Sequence, residues 1–221
     1  VDAVVMCGGA GTRLESPHEK PLHPIDGSAM VDRVLTALRG SGVETTFAAV
    51  SPNAPATRSH LERADDVLPI ETTGEGYVTD LLAVLERPEI SPPILTVAAD
   101  VPLLEATVID RILLIHGDGD GSRTVCVPVA LKRRLGVSID ARLEPDDHLA
   151  PTGVNVVGET DAGGSNADDP TSDVGDSTTD SPDPTTMTDV YYDPRLAVNV
   201  NRLEDARIAA DRLRNRRAEG R

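Results

Sequence analysis

Val1-Asp2-Ala3-Val4-Val5-Met6-Cys7-Gly8-Gly9-Ala10-Gly11-Thr12-Arg13-Leu14, followed seven residues after Arg13 by Lys20-Pro21-Leu22, decides the fold. The β-branched apolar run through Met6 predicts a buried strand, and a helix-period segment from Ser28 follows the loop. Between them, Gly8, Gly9 and Gly11 let the backbone turn tightly and present N–H groups to an anion, because no Cβ blocks its approach. Phosphate is the natural guest. Arg13 and Lys20 add charge that amides cannot supply, the arginine as a planar fork and the lysine as a point charge.

The spacing excludes two common phosphate loops: no Lys-Ser or Lys-Thr follows the glycines, and the third glycine of the dinucleotide fingerprint is missing. The stretch instead resembles the G-G-x-G-T-R-[LM]…K-P signature of nucleotidyltransferases that join a nucleoside monophosphate to a phosphorylated acceptor.

Downstream, periodicity predicts helices over Ser28–Gly40, Ala56–Ala64, Tyr77–Leu85, Ala106–Ile115 and Leu203–Arg217. Strands are expected over Thr45–Val50, Val67–Ile70, Ile94–Ala99, Thr124–Leu131, Pro151–Val157 and Leu196–Asn201, with Ser138–Pro145 an extended segment. Short-spaced alternation of this kind makes an α/β fold of three layers, a mainly parallel (mixed) sheet covered by helices on both faces. In such sheets the ligand crevice lies beyond the carboxyl ends of the strands. The glycine loop, Ser51-Pro52-Asn53, Gly74 to Tyr77 and Asp100 would all emerge there.

The 221 residues suit one domain, 1–221, interrupted by an acidic stretch. No Lys or Arg lies between Leu143 and Pro194, and 159–188 is rich in Asp, Ser, Thr, Gly and Pro. So little apolar content cannot offset the entropy of ordering, which predicts a disordered acidic insertion.

A formal net charge of -16 leaves no basic stripe for a nucleic acid. Aromatics are only 2% and the only lysines are Lys20 and Lys132, so Val, Leu, Ile and Ala must fill the core. Abundant acid with scarce lysine resembles the proteins of salt-loving archaea, where surface repulsion is screened to within a few Å; an ordinary acidic protein is the alternative. Cys7 and Cys126 sit in apolar runs as buried thiols rather than a bridge or metal pair. No membrane span and no signal peptide is evident, so a cytoplasmic protein is expected.

Transfer of a nucleoside monophosphate needs neutralised charge at the α-phosphorus and an aligned acceptor, whose own phosphate attacks. Absence of a protein nucleophile therefore does not count against an enzyme. Asp100 ends an apolar strand and suits Mg²⁺ or another hard divalent ion, or else caps the turn through Pro102. Asn199 and Asn201 share one face of the last predicted strand and could bring amide oxygens to the metal, or be structural; Asp193 is the fallback ligand.

Met6 to Leu22, Ser-Pro-Asn-x-Pro at Ser51, Thr-x-Gly-x-Gly-Tyr ending at Tyr77, Asp100, Pro-x-Gly-x-Asn-Val-Val from Pro151 and Asn-x-Asn at Asn199 occur in the same order in archaeal GTP:adenosylcobinamide-phosphate guanylyltransferases. The chain is similar to that family over nearly its whole length except the acidic insertion, where family members have a shorter connection. The resemblance implies a Rossmann-like nucleotidyltransferase fold. It implies transfer of GMP from GTP to adenosylcobinamide phosphate, giving adenosylcobinamide-GDP and pyrophosphate, in assembly of the cobalamin nucleotide loop. By the same resemblance Arg13, Lys20 and Asp100 are catalytic, and Gly8, Gly9, Gly11 and Thr12 hold phosphates. Asn53, Gly74, Gly76 and Tyr77 surround guanine or ribose, while Gly153 admits a ligand or is a simple bulge. Asp80 could cap or orient the helix after Tyr77. The implied partners are GTP and a phosphorylated corrinoid, with a homodimer as a candidate assembly. A molybdenum-cofactor guanylyltransferase and a non-catalytic nucleotide sensor remain as alternatives.

Overall fold

The computed structural model describes residues 1–8, 11–117, 119–143, 147–159 and 186–219. Its strands are β1 (Asp2–Met6), β2 (Pro24–Ile25), β3 (Ser28–Ala29), β4 (Thr46–Val50), β5 (Leu68–Glu71), β6 (Ile94–Ala98), β7 (Arg123–Pro128), β8 (Leu149–Val157) and β9 (Met187–Val190). Helices are α1 (Met30–Arg39), α2 (Pro55–Leu61), α3 (Tyr77–Leu85), α4 (Ala106–His116), α5 (Val129–Leu135) and a last helix over Leu203–Glu219.

β1 lies in the interior of the main sheet, whose order is β5-β4-β1-β6-β8-β7-β9. It pairs in parallel with β4 on one side and β6 on the other, so the strand order reverses there and opens a crevice at its carboxyl end. Only β8 runs antiparallel, pairing with both β6 and β7. The expected mixed, mainly parallel sheet is what forms.

Alternation along β1 supplies two cores at once. Ala3, Val5 and Cys7 face a cluster built with Val31, Val34 and Leu38 of α1 and Ile109 and Ile112 of α4. Val4 and Met6 face the opposite layer, with Phe47, Ile70 and Val84 of α3. At roughly 1.5–3 kcal/mol for each large apolar side chain fully buried, these two faces carry most of the driving force. A third cluster packs the last helix against Leu14, Met30, Leu103, Val198 and Val200, which closes the structure around the crevice.

Two expected strands take other forms. Thr124–Leu131 divides into β7, ending at Pro128, and α5. Proline has no N–H for the ladder and its fixed φ suits a helix entry, while the Ala130-to-Arg134 run favours a helix that Gly136 ends at φ 75. Leu196–Asn201 forms no ladder. Its N–H groups are used in turns, Leu196 to the Asp193 carbonyl and Ala197 to that of Pro194, and Val200 donates to the Asp100 carbonyl at 2.9 Å. The alternation survives nonetheless: Val198 and Val200 are buried while Asn199 and Asn201 face the crevice.

Smaller shifts occur at ends. Ser28–Ala29 pairs with β2 before α1 begins, and α2 stops at Leu61. Residues 138–143 form no regular element. Most of the acidic stretch 159–188 lies outside the described residues, but Met187 and Thr188 belong to β9. β8 leaves, and β9 enters, beside Arg123 at the start of β7, the sheet end opposite the glycine loop.

Candidate functional site

The crevice collects segments far apart in sequence. Gly8 follows β1 and packs against Asp80: a Cβ built on it would lie 2.8 Å from Asp80 Oδ2. Asp80 is buried in α3, where its Oδ1 accepts from the Gly74 N–H at 2.8 Å and from the Thr73 hydroxyl at 3.3 Å. This carboxylate therefore ties the turn before α3 to the glycine loop, whereas the sequence offers it as a cap or orienter of the helix itself. Gly74 in turn lies against Ser51 and the Asn53 amide. Asn53 and Gly74 thus stand together, whereas Gly76, at φ 131, has open space where a Cβ would be.

Gly11 adopts φ 62, and a Cβ there would meet Lys20 Cβ at 2.7 Å, so the loop lies directly on Lys20. Lys20 Nζ donates to Asp100 Oδ2 at 2.6 Å and to Asn201 Oδ1 at 2.7 Å. Three expected site residues from distant parts of the chain thus meet at one ammonium. Thr12 and Arg13 are exposed on the rim, with Arg13 Nη1 3.9 Å from Asp140 Oδ1. Gly9 lies outside the described residues.

Asn199 behaves differently from Asn201. Its Nδ2 donates to Asp100 Oδ1 at 3.2 Å and to the Thr152 carbonyl at 2.8 Å, while its Oδ1 accepts from Lys132 Nζ at 2.9 Å. Asp100 and Asn201 are therefore the pair that directs oxygens toward a common point. One carboxylate and one amide oxygen form a hard donor set suited to a divalent ion that completes its shell with phosphate and water. Among the described residues no group of three or more His, Cys, Asp or Glu could hold a metal by itself. Asp193, the fallback, is engaged by Arg195, which holds its carboxyl below the usual range against the opposing effect of burial.

A cavity of about 380 Å³ adjoins Asp100, lined among others by Tyr77, Lys132, Asp140, Gly153, Asn155 and Asn201. Tyr77 is half-exposed as a residue, but its hydroxyl turns inward; burial raises its pKa against hydrogen bonds with Thr96 and Asn155. Gly153 takes φ 78 and would bring a Cβ to 2.8 Å from Ala98 Cβ. It lies beside the register shift between β7 and β8, so a bulge and a close approach both account for it. A larger depression of about 630 Å³ between α1 and the Pro102–Ala106 turn offers less chemistry. Its Arg33 is already occupied by the Ile25 and Asp26 carbonyls.

Several residues at the site escaped the sequence. Asp205 is buried and accepts from Ser138 N and Oγ, Asn201 N and Arg202 N, fastening the 138–140 segment to the start of the last helix. Asp140 pairs with Arg202 at 2.7 Å, and Arg202 and Arg13 hold its carboxyl below the ordinary range although burial opposes them. Lys132 is 4% exposed. Its signal was rarity: the chain has two lysines, and both point into this crevice. The two cysteines are free and buried, and burial pushes Cys7 up to about 12 and Cys126 to about 11, leaving them inert.

The MobA-like NTP transferase domain family matches residues 3–214. Adenosylcobinamide-phosphate guanylyltransferase of Methanocaldococcus jannaschii is 32% identical over 165 residues, covering 71% of this chain and 80% of that protein. The bifunctional protein GlmU of Pelobacter propionicus is 32% identical over 128 residues, which is 57% of this chain but 28% of GlmU. Rv0371c from Mycobacterium tuberculosis shares the fold at a TM-score of 0.63 and 16% identity, over 96% of this chain and 98% of its own. The inositol-1-phosphate CTP transferase of T. maritima does so at 0.53 and 17%, over 73% and 71%. No helix among the described residues is long and apolar enough to cross a membrane.

Proposed function

The chain belongs to the MobA-like NTP transferase domain family and is a nucleotidyltransferase, and from that premise we propose that it moves GMP from GTP to adenosylcobinamide phosphate. The products are adenosylcobinamide-GDP and pyrophosphate, in cobalamin assembly. The observation that carries the reading is the meeting of Lys20, Asp100 and Asn201 beneath Gly11, beside a cavity of about 380 Å³. The choice of guanine and of corrinoid leans on the Methanocaldococcus relative, which matches over most of its length.

An oxygen of the acceptor phosphate forms the new bond to the α-phosphorus as the bond to the β-phosphate oxygen breaks, and the electron pair leaves with pyrophosphate. Backbone N–H groups around Gly8, Gly9, Gly11 and Thr12 receive the triphosphate, and Arg13 grips the departing pyrophosphate. Lys20 moves from Asp100 to a phosphate oxygen and offsets charge that grows as the α-phosphorus is attacked. Asn53, Gly74, Gly76 and Tyr77 bind base and ribose, and Gly153 lets backbone line the acceptor cavity. Asp100 and Asn201 would hold Mg²⁺, which would supply further positive charge against the phosphates.

The acidic, lysine-poor composition supports work in concentrated salt. The test is pyrophosphate release in concentrated KCl with Mg²⁺, comparing GTP, ATP and CTP against adenosylcobinamide phosphate and molybdopterin. Release confined to GTP with the cobinamide is expected; release with molybdopterin instead, or GTP binding without release from either acceptor, refutes the assignment.

A further inference from the structure

We propose that Lys132 is a positioning residue for Asp100, acting through the side-chain amide of Asn199. The inference rests on the reading of Asp100 given above.

Lys132 is carried on α5 and is nearly inaccessible. Taking an ammonium out of water costs several kcal/mol unless good partners receive it. Among the described residues its hydrogen-bond partners are two neutral oxygens, the Ala197 carbonyl at 3.0 Å and Asn199 Oδ1 at 2.9 Å. Burial lowers its pKa, and the surrounding charges of Asp100, Asp205 and Asp140 draw it back toward the protonated form.

The chemistry of the partners fixes the amide. An ammonium only donates and the Thr152 carbonyl only accepts, so Asn199 must direct its oxygen to Lys132 and its nitrogen to Thr152. That same orientation leaves a second N–H for Asp100 Oδ1. Asp100 is thereby gripped at one oxygen, while the other, Oδ2, faces Lys20 and the substrate side. Without Lys132 the amide keeps two acceptors for its nitrogen but loses the donor that anchors its oxygen, so its hold on Asp100 loosens. A flipped amide would set its oxygen against the Asp100 carboxylate.

The test compares nucleotide-free wild type, Lys132→Met, Asn199→Leu and the double variant. By NMR, the Asn199 side-chain amide protons, identified by their loss in Asn199→Leu, should exchange at least ~10-fold faster in Lys132→Met, with β1 backbone amides still protected. Unchanged exchange overturns the proposal. With Mn²⁺ and GTP, Lys132→Met and Asn199→Leu should each raise the Mn²⁺ dissociation constant about tenfold while GTP binding without metal stays within about twofold. The double variant should be no worse than either. Additive losses, or equal losses of GTP and Mn²⁺ binding, overturn a role through Asn199. Should Lys132→Met fail to fold, Asn199→Leu still decides the metal arm, because it leaves the lysine in place. Absence of Mn²⁺ binding in the wild type would refute the metal reading of the site, and the exchange arm would still decide the clamp.

Discussion

Lys20 holds the two oxygens proposed above to receive a divalent ion. It donates to Asp100 Oδ2 at 2.6 Å and Asn201 Oδ1 at 2.7 Å, with both charged side chains largely shielded, at 16% and 17% exposure. A cation entering the nucleotide-free protein must break both bonds. Both bonds come from an ammonium and are charge-assisted, each netting about 1.5–3 kcal/mol, of which the released ammonium regains a large part from water. Taking about 2 kcal/mol as the remaining obstacle corresponds to about 30-fold in affinity. Lys20→Met should therefore tighten Mn²⁺ binding to the free protein about 30-fold. In the same variant pyrophosphate release should fall about 10²-fold or more, because the cation that meets the phosphate is gone. Mn²⁺ affinity is read by electron paramagnetic resonance titration at fixed KCl, with thermal melting as the check on folding. Adding Asp100→Asn should abolish the gained affinity. Unchanged or weaker Mn²⁺ binding in Lys20→Met would refute the idea that lysine and metal compete for one place.

Asp100→Asn in the otherwise unchanged protein should lower turnover by about 10² or more while GTP binding changes severalfold at most, measured by pyrophosphate release and calorimetry; equal losses would remove Asp100 from the chemistry. Lys20→Arg should behave nearly as badly as Lys20→Met, since a flat fork cannot replace a point charge between Asp100 and Asn201; near-normal kcat would contradict that. Gly153→Ala joins a left-handed backbone at φ 78 to a contact at 2.8 Å with Ala98. About 2–4 kcal/mol of lost stability is expected in chemical denaturation, and a loss below 1 would mean that the bulge relaxes freely. His116 is buried, and burial, followed by the nearby Arg123, lowers its pKa against the pull of Asp189 and Asp120. The unfolded chain then binds a proton that the native state refuses once pH falls below about 6.5. Stability should drop through that window more steeply in wild type than in His116→Gln, and parallel curves would refute the assignment.

The sheet was legible because its signals are local. β1, β4 and β6 are continuous β-branched or alanine-rich runs that end at chemistry-bearing residues, and α3 spans the residues its period predicts. What misled was partnership. Leu196–Asn201 alternates as a strand would, yet alternation reports only which side chains face the core; the N–H of Val200 goes to the Asp100 carbonyl, a choice made across 100 residues of chain. Likewise Asp100 could be singled out as a candidate metal ligand from its place just after a strand. That Asn199 gives it a nitrogen while Asn201 turns an oxygen beside it depends on two lysines far away in the sequence, Lys132 for the first and Lys20 for the second.

The distribution of basic residues gives those lysines their meaning. Arginine supplies the side-chain cations of the surface ion pairs, as in Arg58 with Glu62 and Arg214 with Asp211. A fork with five donors suits such places, because water satisfies whatever the carboxylate leaves over. Inside the crevice it does not. Lys20 is wedged between a carboxylate and an amide under the Gly11 backbone, and Lys132 between a carbonyl and an amide in the interior. Each position offers a compact ammonium two acceptors among the described residues, too few for a planar five-donor group. A composition that excludes lysine nearly everywhere therefore retains it at two points 112 positions apart that meet around one aspartate. In the proposed mechanism Lys20 faces the substrates and moves when they bind. Lys132 faces the protein and keeps Asp100 where that movement can use it.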